Sequence, residues 1–408
     1  MDEPDQTSHA KLLTPAFATL VVTQMAFSYA MSTFALLPKF LSTTLGASAS
    51  QIGRTSAVQG FVIVLLTPFV GGWLDRAGRQ PLIGLGALLC SLYAAAWTTI
   101  DAVSPASYAL QVVSAFGFIL TFNAASTLVT ENAPPERLGQ AIGLFGAANI
   151  SMNAIAPTIA EPLAAAYGWR AAFGLASASA MLAFVLSRRI VESLRPSRIT
   201  SPRISRVHEA RDDFAGTAHV ARRIAPYLGS MVTCGAAYGA ICTFYQPFVI
   251  AQGAKQVSGF FVGFTVATVS MRLLLGGVAD RFGRRRIALA TFTGYALIAL
   301  AMTQITPGRL LAFGMLFGSA HGLYYPALNA LAIERTQPEE RSRVMTLING
   351  AFHGGFMLSV LCCGWVAEQA GYRAVFVVAS CVAWLGVLML WFDGSRSSLR
   401  PLADRSEV

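Results

Sequence analysis

Twelve stretches of this chain are long and apolar enough to cross a lipid bilayer as helices, and that limits the fold more than any other property. A hydrocarbon core about 30 Å thick calls for about 20 mostly apolar residues of helix. Such stretches lie at 13–38, 50–74, 80–100, 105–130, 138–166 and 169–190, then at 224–250, 256–279, 286–305, 308–333, 342–369 and 372–392. Pro68, Pro157, Pro162, Pro247 and Pro326 fall inside them. Such prolines break soluble helices but are common in membrane ones. With 54% hydrophobic and 12% charged residues and a mean hydropathy of +0.55, the 408-residue chain is too apolar for a soluble globular protein. The fold class is therefore an all-α membrane protein with twelve transmembrane helices.

The remaining charge is placed unevenly. The interval 191–223, "VESLRPSRITSPRISRVHEARDDFAGTAHVARR", is the only long polar stretch, rich in Arg and Ser with two prolines, and reads as a linker. It lacks the aromatic interleaving of a nucleic-acid patch, so no nucleic-acid partner is expected. With the N-terminus cytoplasmic, the inner loops hold Arg76, Arg79, Arg137, the linker arginines, Arg281 and Arg284 to Arg286, and later Arg335, Arg341 and Arg343. The outer loops and helix ends then hold only Lys39, Arg54, Arg170, Lys255, Arg309 and Arg373. Lys and Arg concentrate on the cytoplasmic side of membrane proteins, so both termini and the linker are expected there, in the inner (plasma) membrane. The net charge of +10 is mostly this topology signal. The N-terminal "MDEPDQTSHAK" is acidic and no small-residue cleavage site follows, so the first apolar run is read as a retained helix. The six cysteines all fall in apolar runs without CxxC or Cys/His spacing, and are read as small buried hydrophobes rather than metal ligands.

A repeat organises the spans. "GGWLDRAGRQ" (71–80) recurs as "GGVADRFGRR" (276–285), 205 positions on. "TENAPPERLGQ" (130–140) matches "IERTQPEERSR" (333–343), and "YGWRAAF" (167–173) matches "AGYRAVF" (370–376), both at an offset of 203. Three landmarks in one order describe two pseudo-symmetric six-helix bundles in the same orientation. The expected bounds are 12–192 for the first, 193–222 for the linker and 223–394 for the second. Parallel repeats are a transporter architecture, with the substrate near the midplane between the halves.

Gly71, Asp75, Arg76, Gly78 and Arg79, and again Gly276, Asp280, Arg281, Gly283, Arg284 and Arg285, follow the pattern G-x-x-x-D-R-x-G-R-R/K. On this pattern the sequence resembles a major facilitator superfamily transporter, of the bacterial efflux type, over essentially its whole length. The chemistry suits the positions. Gly71 and Gly276 allow close helix approach, Gly78 and Gly283 allow a sharp turn, and a carboxylate at membrane depth requires a partner. The resemblance implies that Asp75 faces the start of the eleventh span and Asp280 the start of the fifth. It also implies ion pairs Arg79–Glu131 and Arg284–Glu334. Together these form a cytoplasmic gate that holds the halves together when the outside is open.

Polar groups inside the spans are the candidate substrate and proton pathway. Asn149 and Asn153 lie four apart on one face of the fifth span. Exporters of this superfamily often carry G-P-x-x-G-G there; here the stretch is "APTIAEP", with Glu161 in place of a glycine. The departure weakens the antiporter signature but supplies a titratable group. Arg272 in the eighth span suits an anionic substrate or counters a carboxylate. His321 and His353 sit mid-span, and histidine changes charge at physiological pH. Gln24, Tyr29, Tyr325 and Asn329 are further lining candidates, with Tyr324 beside them. The family's arginine of the fourth span aligns with Gln111, so one usual proton-coupling element is missing. A mostly apolar, aromatic and amide cavity suits a small amphipathic solute better than a sugar.

The reading is a monomeric secondary transporter that exports a small organic molecule in exchange for protons by alternating access. It has no cofactor, no metal and no catalytic constellation, and is not an enzyme. Its rivals are a symporter importing a metabolite or organic anion, and a receptor that has lost transport.

Overall fold

A computed structural model of the chain describes residues 14–134, 137–190, 217–275, 282–337 and 340–398, without the side chains of Gly71, Gly72, Leu74, Asp75, Leu275, Ser342 and 394–398. The described residues form α1 (Pro15–Thr33), α2 (Leu37–Thr43), α3 (Ala49–Ala77), α4 (Arg79–Trp97), α5 (Pro105–Asn132), α6 (Leu138–Tyr167) and α7 (Trp169–Ser187). The second half holds α8 (Ala225–Ala251), α9 (Ser258–Leu275), α10 (Arg284–Ala301), α11 (Leu310–Glu334) and α12 (Arg341–Ser398). No strand occurs among them.

These elements make twelve membrane helices in two six-helix bundles. Nine described segments are long and apolar enough to cross a bilayer, α1 with α2 counting as one and the double-length α12 as another. The break in α12 at Gly371 supplies the tenth. The apolar α9 and the 25-residue α11 complete the set. α11 carries His321, Asn329 and two tyrosines among its apolar residues.

Local chemistry sets the helix ends. Thr14 Oγ1 accepts the Phe17 N–H at the start of α1, and Ser48 and Gln51 form a reciprocal capping box at the start of α3. Among the described residues six glycines have positive φ: Gly46, Gly78, Gly168, Gly253, Gly283 and Gly371. They pair as Gly46/Gly253, Gly78/Gly283 and Gly168/Gly371, separated by 207, 205 and 203 positions. A side chain is strained in that backbone region, so the repeat is written into the turns as well as the motifs. At Gly78, Gly168 and Gly371 one helix runs into the next with no further loop.

Two expectations, on the first span and on the cysteines, are corrected. The first span does not end at 38: a 3-10 turn at Phe34–Leu36 redirects the chain and α2 continues it to Thr43. At the end of the expected linker, 217–223 are helical, and Val220 and Ile224 are buried; the rest of the expected linker lies outside the described residues. Cysteine burial is mixed. Cys90, Cys234 and Cys363 are buried, while Cys362 and Cys381 are exposed on the bundle perimeter, because an apolar run does not tell a core-facing residue from a lipid-facing one.

Close helix contact fixes the interior of the second half. A methyl group added at Gly235 would lie 2.0 Å from the Phe352 carbonyl oxygen, and one at Gly355 1.9 Å from that of Val232. α8 and α12 therefore touch backbone to backbone. On the linker face, Arg223 donates to both Glu340 carboxylate oxygens at 3.0 and 3.2 Å. The Gln337 N–H, and then Arg223, hold the Glu340 carboxyl below its ordinary pKa.

Candidate functional site

A cavity of about 720 Å³ lies between the halves. α1, α3, α5 and α6 line it on one side, and α8, α9, α11 and α12 on the other. It reaches Thr67 and Val70 near the end of α3, and Thr346 and Asn349 near the start of α12, all toward the linker face.

The helices splay on that face and close on the far one. Methyl groups added at Gly139, Gly143 and Gly146 at the start of α6, or at Gly350 and Gly354 near the start of α12, would meet nothing within 4 Å. Toward the far face, one added at Gly53 would lie 2.2 Å from the Val360 carbonyl oxygen, and one at Gly364 2.8 Å from that of Ala49. α3 and α12 are thus in backbone contact there.

Polar contacts between the halves complete the far-face seal. Glu161, 2% exposed, accepts the backbone N–H groups of Val257 and Ser258, at 2.7 and 2.9 Å, where α9 begins. Lys39 Nζ pairs with Glu161 Oε1 at 2.5 Å and donates to the Lys255 carbonyl at 2.6 Å. Gln246 in α8 donates to the Ala35 carbonyl at 2.8 Å. A reciprocal contact comes from the other half, where Glu368 accepts the Ser50 N–H at 2.9 Å in the first turn of α3. Each half sends one acid to the start of a helix in the other, where unsatisfied N–H groups favour negative charge.

Glu161, expected in the substrate or proton pathway, is placed at the far face. It does not line the cavity, and both carboxylate oxygens are occupied at the far-face seal. Gln24, Tyr29 and Asn329 also stand off the cavity wall. Gln24 donates to Ser28 and Asn149 at 3.0 Å each. Tyr29 packs with Met152 and Ala156, and Asn329 donates to the Tyr325 carbonyl at 2.7 Å. Helical periodicity gives a residue's face but not which face meets the cavity.

The structure does bring Asn149, Asn153, Arg272, His321, Tyr325 and His353 to the wall. Asn149 Oδ1 accepts from Ser28 Oγ at 2.6 Å and from Gln24, and Asn153 Oδ1 accepts from Ser32 Oγ at 2.8 Å. Tyr325 donates to Asn349 Oδ1 at 2.8 Å. His321 lies among rings, 5.1 Å from Tyr238 and 5.6 Å from Phe264, and its buried Nδ1 has no partner. Gln111 also lines the cavity and donates to Tyr93 Oη at 3.3 Å.

At the linker face, Arg79 Nη2 lies 2.8 Å from Glu131 Oε1, and Arg284 Nη1 lies 2.5 Å from Glu334 Oε1. Each pair joins helices of one half, so neither bridges the halves in this conformation. Gly78 and Gly283 make the turns, and Arg76 is exposed. Gly276, Asp280 and Arg281 lie outside the described residues, as do the side chains at Gly71 and Asp75, so the contacts expected of both aspartates belong there too.

Sequence reasoning missed Lys39 as a partner, missed Glu368 and Asn349, and missed Gln59, which lines the cavity and donates to Ser114 Oγ at 2.8 Å. The repeat spacing does not relate the two acids, since at its local offset of 203 Glu161 matches Gly364. Nothing in the sequence marked Asn349 or Gln59, which gain meaning only from the cavity they face.

A family model described as Major Facilitator Superfamily matches residues 18–260 and 227–407. An uncharacterized MFS-type transporter of Burkholderia mallei (strain SAVP1) is 27% identical, the match covering 87% of this chain and 86% of the relative. Multidrug resistance protein MdtG of Serratia proteamaculans (strain 568) is 25% identical, with 94% and 93% covered. Among solved structures, a mutant of the nucleoside transporter NupG aligns with a TM-score of 0.78 over 92% of this chain and 99% of that one, at 12% identity. That likeness is one of fold.

Proposed function

Since the chain belongs to the Major Facilitator Superfamily and is a multi-pass membrane transporter rather than an enzyme, we propose that it exports a small amphipathic organic solute in exchange for protons. In this reading it works as a monomer in the inner membrane, with both termini and the linker cytoplasmic. The described conformation is then inward-open.

The observation that carries the reading is the cavity between the halves, open toward the linker face and sealed at the far face by Glu161, Lys39 and the close α3–α12 contact. Alternating access requires that seal to break as the opposite one forms. Asp75 and Asp280, with the Arg79–Glu131 and Arg284–Glu334 pairs beside them, are assigned to the opposite seal. Export draws support from the multidrug-resistance relative and from aromatic walls such as Phe118, Phe122 and Phe356.

With Glu161 committed to the far-face seal, His321 and His353 become the proton carriers of choice. Both line the cavity, and no Asp or Glu does so among the described residues. Purified protein in proteoliposomes should acidify or alkalinise the lumen when a transported dye is supplied against an imposed pH gradient. His321→Gln or His353→Gln should abolish gradient-driven accumulation while leaving dye exchange intact. Full coupling in both variants would remove the histidine mechanism, and dye movement indifferent to the pH gradient would remove proton exchange.

A further inference from the structure

The cavity wall carries amides of both orientations: Gln59, Gln111 and Asn123 donate their NH₂ groups to Ser114, Tyr93 and the Ile119 carbonyl. Three asparagines on it, Asn149, Asn153 and Asn349, have their carbonyl oxygens occupied by protein donors. Their amide NH₂ groups make no hydrogen bond among the described residues and are not buried from solvent. An amide orientation is assigned from its network, and here the donor Tyr325 hydroxyl and the Gln24 and Ser28 donors set it. Each of these three asparagines therefore turns hydrogen-bond donors to the cavity and keeps its acceptor for the protein.

Arg272 adds a full positive charge to the same wall. It lies 14 residues into α9, about 21 Å from Ser258 at 1.5 Å per residue, in the last described turn of that helix and so nearer the linker face. Among the described residues it has no ion-pair partner, and its buried Nε has no hydrogen-bond partner. Nor does the wall supply a carboxylate to balance it. A cation held away from water without a counter-charge is costly, and the cost is relieved when an anion enters. Arginine's planar fork suits a carboxylate, sulfonate or phosphate oxygen pair.

We infer that the transported solute is an organic anion with an aromatic or otherwise apolar body, its acidic group received by Arg272 of the second half and by the Asn149 and Asn153 amides of the first. This deepens the proposed function and rests on the cavity being the transport site. Phe118, Phe122, Phe261, Phe352 and Phe356 supply the surface for the body, and a cavity of about 720 Å³ accommodates a molecule of two or three rings. Because donors come from both halves, the bound anion draws them together as the cavity closes. A neutral or cationic solute would leave Arg272 uncompensated.

The test compares isosteric probes on the full chain in lipid nanodiscs: three aromatic carboxylates of one, two and three rings, and for each the primary amide and the aminomethyl cation. Calorimetric titration should show the best carboxylate binding about tenfold or more tightly than its amide, and the cation binding least. Arg272→Gln should erase that preference while amide binding persists, and Arg272→Lys should retain part of it. Asn149→Ala with Asn153→Ala should weaken carboxylate binding more than amide binding. If no carboxylate is preferred by the wild-type protein, or none binds, the inference is overturned, whether or not the Arg272 variants fold. A preference that survives Arg272→Gln overturns the assignment to Arg272. The same probes in proteoliposomes separate the two readings. Selective carboxylate binding without movement removes the transport function but not the anion site, whereas movement of amides or cations in preference to carboxylates removes the anion class and leaves transport standing.

Discussion

Replacing Glu161 with Gln should open the far face. The carboxylate holds the Lys39 ammonium on one side and two backbone N–H groups at the start of α9 on the other. Glutamine keeps one acceptor oxygen, loses the charge and turns an NH₂ donor toward a second donor. Breaking a buried ion pair costs about 3–5 kcal/mol, and a hydrogen bond to a charged group contributes about 1.5–3 kcal/mol. Lys39 keeps its bond to the Lys255 carbonyl and its side chain is 12% exposed, which puts the loss near the lower end, about 2 kcal/mol. These contacts join the halves only while the far face is shut, so the loss falls on the far-face-closed state and shifts the equilibrium roughly 30-fold toward opening. Spin labels at Thr44 and Gln252, both exposed on the far face, report the separation by pulsed electron resonance in nanodiscs. The longer-distance population should rise in Glu161→Gln and in Lys39→Gln, and the double variant should add little, because both remove one interaction. Glu368→Gln should act in the same direction but less, since that acid is exposed. An unchanged distance distribution in Glu161→Gln, with the protein folded and monodisperse, would refute the seal and return Glu161 to candidacy elsewhere.

Gly53→Ala places a methyl group against the Val360 carbonyl; it should destabilise the far-face-closed state by about 1–3 kcal/mol, read as the same lengthening of the Thr44–Gln252 distance, and normal closure would show that α3 and α12 can yield. Asp75→Asn and Asp280→Asn should slow transport in proteoliposomes without preventing insertion, as loss of charge at the opposite seal requires; unchanged transport in both would remove the gate. Cysteines placed in 195–220 should be labelled by an impermeant maleimide only from the cytoplasmic side of oriented membranes, and labelling from the outside would invert the assigned topology.

Much of the architecture was legible because it rests on local chemistry repeated along the chain. Apolar length marks each span wherever it lies, as the agreement of α3 to α11 with the expected stretches illustrates. The turn glycines were visible for a similar reason: a positive φ excludes nearly every other residue, so "DRAGR" and "DRFGR" announce the bends at Gly78 and Gly283 before any packing is known. The first span was harder, since Pro38 did not reveal that a 3-10 turn would carry the helix on to Thr43.

The site was legible only in part. Asn149, Asn153, Arg272, His321 and His353 stood out because polar groups within the membrane need a reason to be there. Glu161 stood out by the same rule, yet its neighbours place it at the far face and away from the cavity wall. Its partners Lys39, Val257 and Ser258 lie up to 122 positions away, and no pattern in the chain states that they meet. The sequence by itself determined the spans, the turns and the doubling of the bundle, because each follows from residues a few positions apart and from their preference for lipid or water. Only the tertiary structure decided which face of each helix meets the cavity and which acid reaches the other half, because those contacts depend on the rotation and approach of whole helices, and a periodic apolar sequence leaves both free.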